Sequence, residues 1–509
     1  MLKHLQNAYR NSVDMIYIDP PYNTGKEFIY NDTFDFSDEK LKNMLGLTDA
    51  EIKRLHTING RSSHSAWLTF MYPRLKLART LLKDSGVMFI SIDDNEQANL
   101  KLLCDEIFGE GNFVNNFIWL TGKGKKDTWS RTTEQYILCY AKNKLVLPAF
   151  VEIQLAQGNF SNPDNDPRGE WFSGSISFDE KRSNANCDTY FTITSPSGIE
   201  WKRQWQVESK EEMEALLKDK RIYFGPAPEY KNVPRKKIFP FDENEIIPPN
   251  LLDCCGTTQS AQAEVNKLFG MQSKQDIFDN PKPVLLIAHI LNLLMQKNSL
   301  ILDFFAGSGT TAHAVMQLNA EDGGNRRWIL CNIDEPAKKN SEAYKAGYAT
   351  IDAITVERIK RAAEHIGDAS GFKRYSVKEP AEQTLNKIEV FDPEQNVLIP
   401  DDMVAAMGGA DVVLYTWLVA DGYKLDYKIQ EILIAEYTVY YCDNAMVYLI
   451  NQGWGREQTK ALLNLIGTHQ LNVRTIICYG YSFTLESMRE LEINVQQSLN
   501  NTVEIEKRY

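Results

Sequence analysis

Two short apolar runs, far apart in a chain of 509 residues, each end on an aspartate followed by a segment through which neither helix nor strand continues. The first is Asp14-Met15-Ile16-Tyr17-Ile18, running into Asp19-Pro20-Pro21-Tyr22; the second is Ser299-Leu300-Ile301-Leu302, running into Asp303-Phe304-Phe305-Ala306-Gly307-Ser308-Gly309. A short apolar, β-branched run bounded by a breaker reads as a buried strand of a parallel sheet. In open α/β sheets ligands bind outside the carboxyl ends of strands, so both aspartates should face a crevice rather than a core. This predicts a doubly wound α/β sheet with two chemically distinct loops on one rim.

The loops differ in what they offer. Two prolines fix the backbone and remove two amide donors, leaving carbonyl oxygens to accept from a substrate amine, and Tyr22 adds a flat face on which a base can stack. The second loop is strand, glycine turn, then a helix opening at Thr310. Glycines let the backbone approach a ligand closely, and a helix amino end favours negative groups. The loop lacks the third glycine of a dinucleotide fingerprint, and no Lys-Ser/Thr follows Gly309 as a Walker loop requires, which argues against NAD and ATP.

The two segments in this order resemble the β-class amino methyltransferases, in which the catalytic half precedes the half that holds S-adenosylmethionine. Further stretches make the chain similar to the modification (Mod) subunits of type III restriction-modification systems: Ile16 to Gly25, Phe89-Ile90-Ser91-Ile92-Asp93-Asp94, Asn162 to Gly169, Asn280-Pro281-Lys282-Pro283, and Leu302 to Arg327. The resemblance covers most of residues 1–370 and implies a doubly wound, Rossmann-like methyltransferase sheet with an inserted target-recognition region and a small C-terminal α/β domain.

The implied chemistry is direct methyl transfer to the N6 amine of an adenine flipped out of duplex DNA. Asp19 would accept one amine hydrogen bond and the Pro20 carbonyl the other, Pro21 would hold the turn and Tyr22 would carry the base. Asp in the first position of this motif accompanies adenine in the family. N4 of cytosine or an RNA base is the alternative substrate, and a non-catalytic DNA-specificity or scaffold subunit the alternative role. The family pattern sets S-adenosylmethionine against Asp303, Phe305, Ala306, Gly307, Ser308, Gly309 and Thr310. Lys282 would meet the methionine carboxylate, or else stands as a solvated lysine ahead of the apolar helix from Val284 to Met295. Trp328 to Glu335 reads as the next strand, and the residue for the ribose hydroxyls is Asn332, Asp334 or Glu335. The eight cysteines show no CxxC spacing and the seven histidines are isolated, so no metal site is expected.

The net charge of −12 argues against a DNA-binding protein until its distribution is considered. Residues 371–509 hold 12 basic and 19 acidic residues, a net of −7, so the acidity is concentrated away from the two loops. Basic clusters remain at Lys123, Lys125 and Lys126, at Lys181-Arg182, Lys202-Arg203 and Arg358-Lys360-Arg361, and at Arg235, Lys236 and Lys237; they are either DNA-binding surfaces or solvated loops. No apolar run approaches bilayer length and the amino terminus shows no signal peptide pattern, so a cytoplasmic protein is expected.

The expected organisation is a catalytic half in residues 1–145, a target-recognition insertion in 146–275, a cofactor half in 276–370 and an interaction domain in 371–509. The resemblance implies assembly with a Res helicase-nuclease and with a second copy as a homodimer. Family members carry a strand and an Asn-rich turn ahead of the Asp-Pro-Pro-Tyr strand, whereas 18 residues precede Asp19 here. The expectation is a truncated chain or a start assigned too late, with the edge beside that strand unpaired.

Overall fold

Helix α1 (Leu2–Tyr9) buries Leu2, Leu5, Ala8 and Tyr9 on one face, and a short turn then leads into β1 (Val13–Ile18), all six residues of which are buried. A strand covered on both faces has no polar side, hence its near-continuous apolar sequence. Asp14 is the exception. Its carboxylate accepts from Lys83 Nζ at 2.6 Å and from the Leu300 amide at 2.8 Å, so the buried charge is paired. Helix α2 (Ser63–Leu81) packs on α1 and on α3 (Gln97–Phe108), and between them runs β2 (Leu82–Ile92). Strands β3 (Phe113–Leu120) and β4 (Glu134–Ala141) complete this half.

This computed structural model describes residues 1–24, 48–49, 63–122, 129–156, 158–179, 181–272, 275–294, 296–377, 404, 408–443, 445–498 and 502–509. They divide into one unit of residues 1–148, 250–289 and 296–509 and a second of residues 149–249 and 290–295. The second unit is built from short antiparallel pairs: β5 (Glu152–Leu155) with β11 (Glu243–Ile246), β7 (Tyr190–Thr194) with β8 (Glu200–Gln204), and β10 (Arg235–Ile238) between β6 (Phe172–Ser175) and β9 (Ile222–Tyr223). Its helix α4 (Lys210–Lys218) is capped by Ser209, which accepts from the Glu212 amide. Met213 on that helix packs with Ile176, Ile193 and Trp205.

The chain continues through β12 (Leu251–Leu252), α5 (Thr258–Phe269), α6 (Val284–Asn292), β13 (Leu300–Asp303), α7 (Thr310–Asp322) and β14 (Arg327–Leu330). The central sheet has the order β12-β3-β4-β2-β1-β13-β14. β1 lies parallel to β2 on one side and to β13 on the other, with Ile18 opposite Ile90 and Ile16 opposite Leu302. This corrects the expectation of an unpaired edge beside the Asp-Pro-Pro-Tyr strand: a strand from the downstream half fills that place, and β1 is central. β14 also ends at Leu330, short of the expected Glu335.

After α8 (Glu342–Lys345) and α9 (Ile351–Ile366), α10 (Ala410–Ala420) leads to a five-stranded sheet, ordered β15 (Gln430–Ile434), β16 (Tyr437–Cys442), β17 (Met446–Leu449), β18 (Thr475–Tyr479) and β19 (Glu504–Arg508). Helices α11 (Arg456–Gly467) and α12 (Leu485–Ser498) supply Leu462, Ile466, Met488 and Leu491 to its core. This region is tied back to α1: Asn7 Nδ2 donates to the Ala420 carbonyl at 3.1 Å and Tyr9 Oη accepts from the Leu425 amide at 2.7 Å. No helix among the described residues is long and apolar enough to cross a membrane.

Candidate functional site

Three aspartates follow three neighbouring parallel strands: Asp93 just beyond β2, Asp19 just beyond β1, and Asp303 at the end of β13. Their surroundings separate them. Asp303 is 3% exposed; its carboxylate accepts from Thr311 Oγ1 at 2.6 Å and from the Phe305 amide at 3.0 Å. Burial pushes its carboxyl up to about 7 against those two hydrogen bonds, and the Asp19 charge pushes in the same direction as burial. Burial also raises Asp93, whose side chain receives the Asn95 amide at 3.0 Å. Asp19, like Asp93, is partly exposed, its side chain 28% accessible.

The turn after β1 is held from below. Trp67 on α2 donates its indole N–H to the Pro21 carbonyl at 2.6 Å. That oxygen is engaged by the indole, whereas the Pro20 carbonyl is the one assigned to the substrate amine. Asn23 sits in the left-handed region, φ +54°, and donates to Glu96 Oε1 at the start of α3. Fully buried Glu96 also meets His64 Nδ1 at 2.8 Å and Asn99 Nδ2 at 2.8 Å. Tyr22 directs its hydroxyl to Asp19 Oδ1 at 2.7 Å, and Asp19 holds that phenol well above its ordinary range together with burial, the larger cause.

Lys282 joins this turn from 263 residues away. Its Nζ lies 2.8 and 2.7 Å from the two Asp19 oxygens and 2.8 Å from Tyr22 Oη, over the Tyr22 and Trp119 rings. The expected solvated lysine is excluded: the side chain is 9% exposed.

The glycine loop runs from β13 into α7. Gly307 (φ +50°) and Gly309 (φ +84°) take backbone conformations that side chains disfavour, and a Cβ on Gly307 would lie 3.3 Å from Phe278 Cζ. The Gly307 carbonyl accepts from Thr355 Oγ1 at 2.5 Å and from Asn332 Nδ2 at 3.1 Å. Behind the loop, fully buried Arg358 on α9 donates to Ser308 Oγ at 2.6 Å and to Thr310 Oγ1 at 2.8 Å. Asn332 is thus tied into the loop's support. Asp334 is exposed and Glu335 half-buried.

The remaining sequence expectations fall apart in space. Lys123, Lys125 and Lys126 lie outside the described residues. Lys237 is a correction as a DNA contact: it is 4% exposed and its ammonium is held by Asp164 and, at 2.7 Å, by Asp166. Lys236 is half-buried, and Arg235 is half-buried with its guanidinium on Ser173 Oγ at 3.1 Å. Arg182, Arg203 and Arg235 line one open cavity of about 410 Å³ in the second unit. Trp67, Glu96, Phe278 and Thr355 had no assigned role from sequence, although Glu96 and Phe278 each stand two residues from a recognised segment; Arg358, read within a basic cluster as a DNA-binding or solvated residue, is instead fully buried on the glycine loop.

Adjacent parallel strands that end in an acidic Asp-Pro-Pro-Tyr turn on one and a glycine loop opening a helix on the next have the arrangement expected of an amino methyltransferase acting on nucleic-acid bases. Comparison with known proteins agrees. A family model described as DNA methylase matches residues 13–343, and one described as the type III R-M EcoP15I C-terminal domain matches residues 408–505. The chain is 43% identical to the StyLTI Mod subunit of Salmonella typhimurium over 100% of its own length and 82% of that protein. It is 37% identical to the EcoPI Mod subunit of Escherichia phage P1 (96% and 81% covered) and 31% to the type II methyltransferase M.KpnI of Klebsiella pneumoniae (72% and 86%). The chain belongs to the DNA methylase family and, within it, to the Mod subunits of type III restriction-modification enzymes. Its methyl donor is S-adenosylmethionine. The residues present are chemically compatible with that molecule: glycines at 307 and 309 in the loop beside Phe278, carboxylates at Asp334 and Glu335 beyond β14, and a buried ammonium at Lys282.

Proposed function

We propose that the chain methylates the N6 amine of an adenine flipped out of duplex DNA at a specific site, with Asp19 as the group that receives the amine. The observation that carries this reading is the in-register pairing of β1 with β13, which sets the Asp19 turn and the Asp303–Gly309 loop on one rim. S-adenosylmethionine supplies a methyl group activated by its sulfonium. Asp19 accepts one N–H of the amine and the Pro20 carbonyl the other, which localises the nitrogen lone pair and aims it across the crevice. Tyr22 presents its ring to the base. Transfer leaves the nitrogen with an extra proton, and the Asp19 carboxylate is the acceptor at hand. Phe305 to Thr310 and Lys282 hold the cofactor, with Asp334 or Glu335 on the ribose.

In the same reading the second unit, with its arginine-lined cavity, reads the target sequence, and the C-terminal sheet domain serves assembly with a Res helicase-nuclease and a second copy in the cytoplasm. Mass spectrometry of nucleosides from DNA of cells expressing the chain tests the central claim. N6-methyladenine is expected; N4-methylcytosine in its place would sink the adenine assignment.

A further inference from the structure

Lys282 holds the carboxylate that the target amine needs. Both Asp19 oxygens are engaged by the one ammonium, whose third contact is the Tyr22 hydroxyl, and that hydroxyl in turn donates to Asp19. The three groups close on one another. Prolines at 281 and 283 flank Lys282 and stiffen its backbone, so what can move is the four-carbon side chain. The segment carrying it also borders the cofactor loop: Phe278, four residues earlier, packs where a Cβ on Gly307 would reach. One short stretch therefore connects the glycine loop to Asp19.

We propose that Lys282 is a latch shared by two carboxylates. In the free chain it closes on Asp19; when the cofactor binds, the methionine carboxylate competes for the same ammonium, draws it away, and leaves the Asp19 oxygens open to the amine of the base. Cofactor binding thus licenses base capture. A base arriving first meets an acid whose oxygens are already occupied. This rests on the reading of the crevice as the methyltransferase site.

The test measures competition in the full chain by calorimetry, using two thioethers that share the nucleoside and the sulfur. S-adenosylhomocysteine retains the amino-acid end with its carboxylate and ammonium, and 5′-methylthioadenosine lacks both. Asp19→Asn releases the ammonium without changing shape, so it should bind S-adenosylhomocysteine about threefold to tenfold more tightly than the wild type, because the competent population no longer has to be drawn from the latched one. Its affinity for methylthioadenosine should not change, which also reports an intact pocket. Lys282→Met should weaken S-adenosylhomocysteine about tenfold and spare methylthioadenosine. If the wild type binds both compounds and Asp19→Asn binds S-adenosylhomocysteine no more tightly, the latch is overturned and the methyltransferase reading stands. If the wild type binds neither, that reading fails and the latch with it.

Discussion

Asp19 and Asp303 end adjacent strands of one sheet, yet they are built for opposite conditions. Asp303 is sealed, fed by Thr311 and its own loop's backbone, and serves to shape the turn that follows; Asp19 is open to the crevice and held by a cation from another part of the chain. The difference teaches that a strand-end position by itself gives a carboxylate neither access to the crevice nor a task. The task is decided by what packs over the next few residues. The start of the following helix and the loop's own amide meet Asp303, whereas Asp19 is met by Tyr22 of its own turn and by the distant Lys282.

The sharpest way to break the comparison is to remove the open acid. Asp19→Ala should lower the methyl transfer rate by about a thousandfold or more while the thermal midpoint stays within a few degrees, measured with tritiated cofactor and by calorimetry. A similar loss from Asp303→Asn with unchanged stability would erase the distinction.

A second test uses pH. The raised carboxyl of Asp303, about 7 against an ordinary 3.8, means that the folded chain holds an extra proton between those values, so its contribution to stability falls as pH rises through that window. Buried His313 on α7 has the opposite sign: burial lowers it to about 3 from 6.5, so its contribution is complete above 6.5 and is lost as pH falls toward 3. The two slopes cancel over most of the range from 6.5 to 4. Asp303→Asn should therefore expose the histidine, stability falling by about 1.4 kcal/mol per pH unit on acidification relative to wild type. His313→Asn should show the reverse. Urea titrations between pH 7.5 and 4.5 give both slopes, and parallel curves for the two variants would refute the burial account.

Smaller effects sharpen the picture. Gly309→Ala places a Cβ 3.0 Å from Thr355 Cγ2 at φ +84° and should cost about 1–3 kcal/mol, with weaker cofactor binding by fluorescence quenching. On the other loop, Trp67→Phe removes the donor to the Pro21 carbonyl and should cost about 1 kcal/mol and a few-fold in turnover, measured by urea unfolding and steady-state kinetics. Greater stability damage from Trp67→Phe than from Gly309→Ala would invert the view of the glycine loop as the more tightly constrained of the two.

Much of the scaffold was legible because it is written locally. An apolar run ending in Asp-Pro-Pro-Tyr and another ending in a glycine turn carry their strand, stop and loop chemistry within ten residues each. Helices α9 and α11 and strands β16, β17 and β18 are written in the same local way, by period and breakers. The pairing was not legible. The missing neighbour expected for β1 turned out to be β13, because hydrogen-bonding partners along a sheet are chosen by topology rather than by nearby sequence. Lys237 in a basic cluster looked like a DNA contact, and only packing turned it inward onto Asp164 and Asp166.

The sequence by itself determined the two chemical loops, their order and the class of reaction, since each loop's backbone and side chains are set by consecutive residues. The tertiary structure decided which groups act together: Lys282 on Asp19 across 263 residues, Arg358 behind Ser308 and Thr310, Trp67 beneath Pro21. The physical reason is that a charge or hydrogen bond depends on distance and burial, and those exist only once the sheet has brought distant strands side by side.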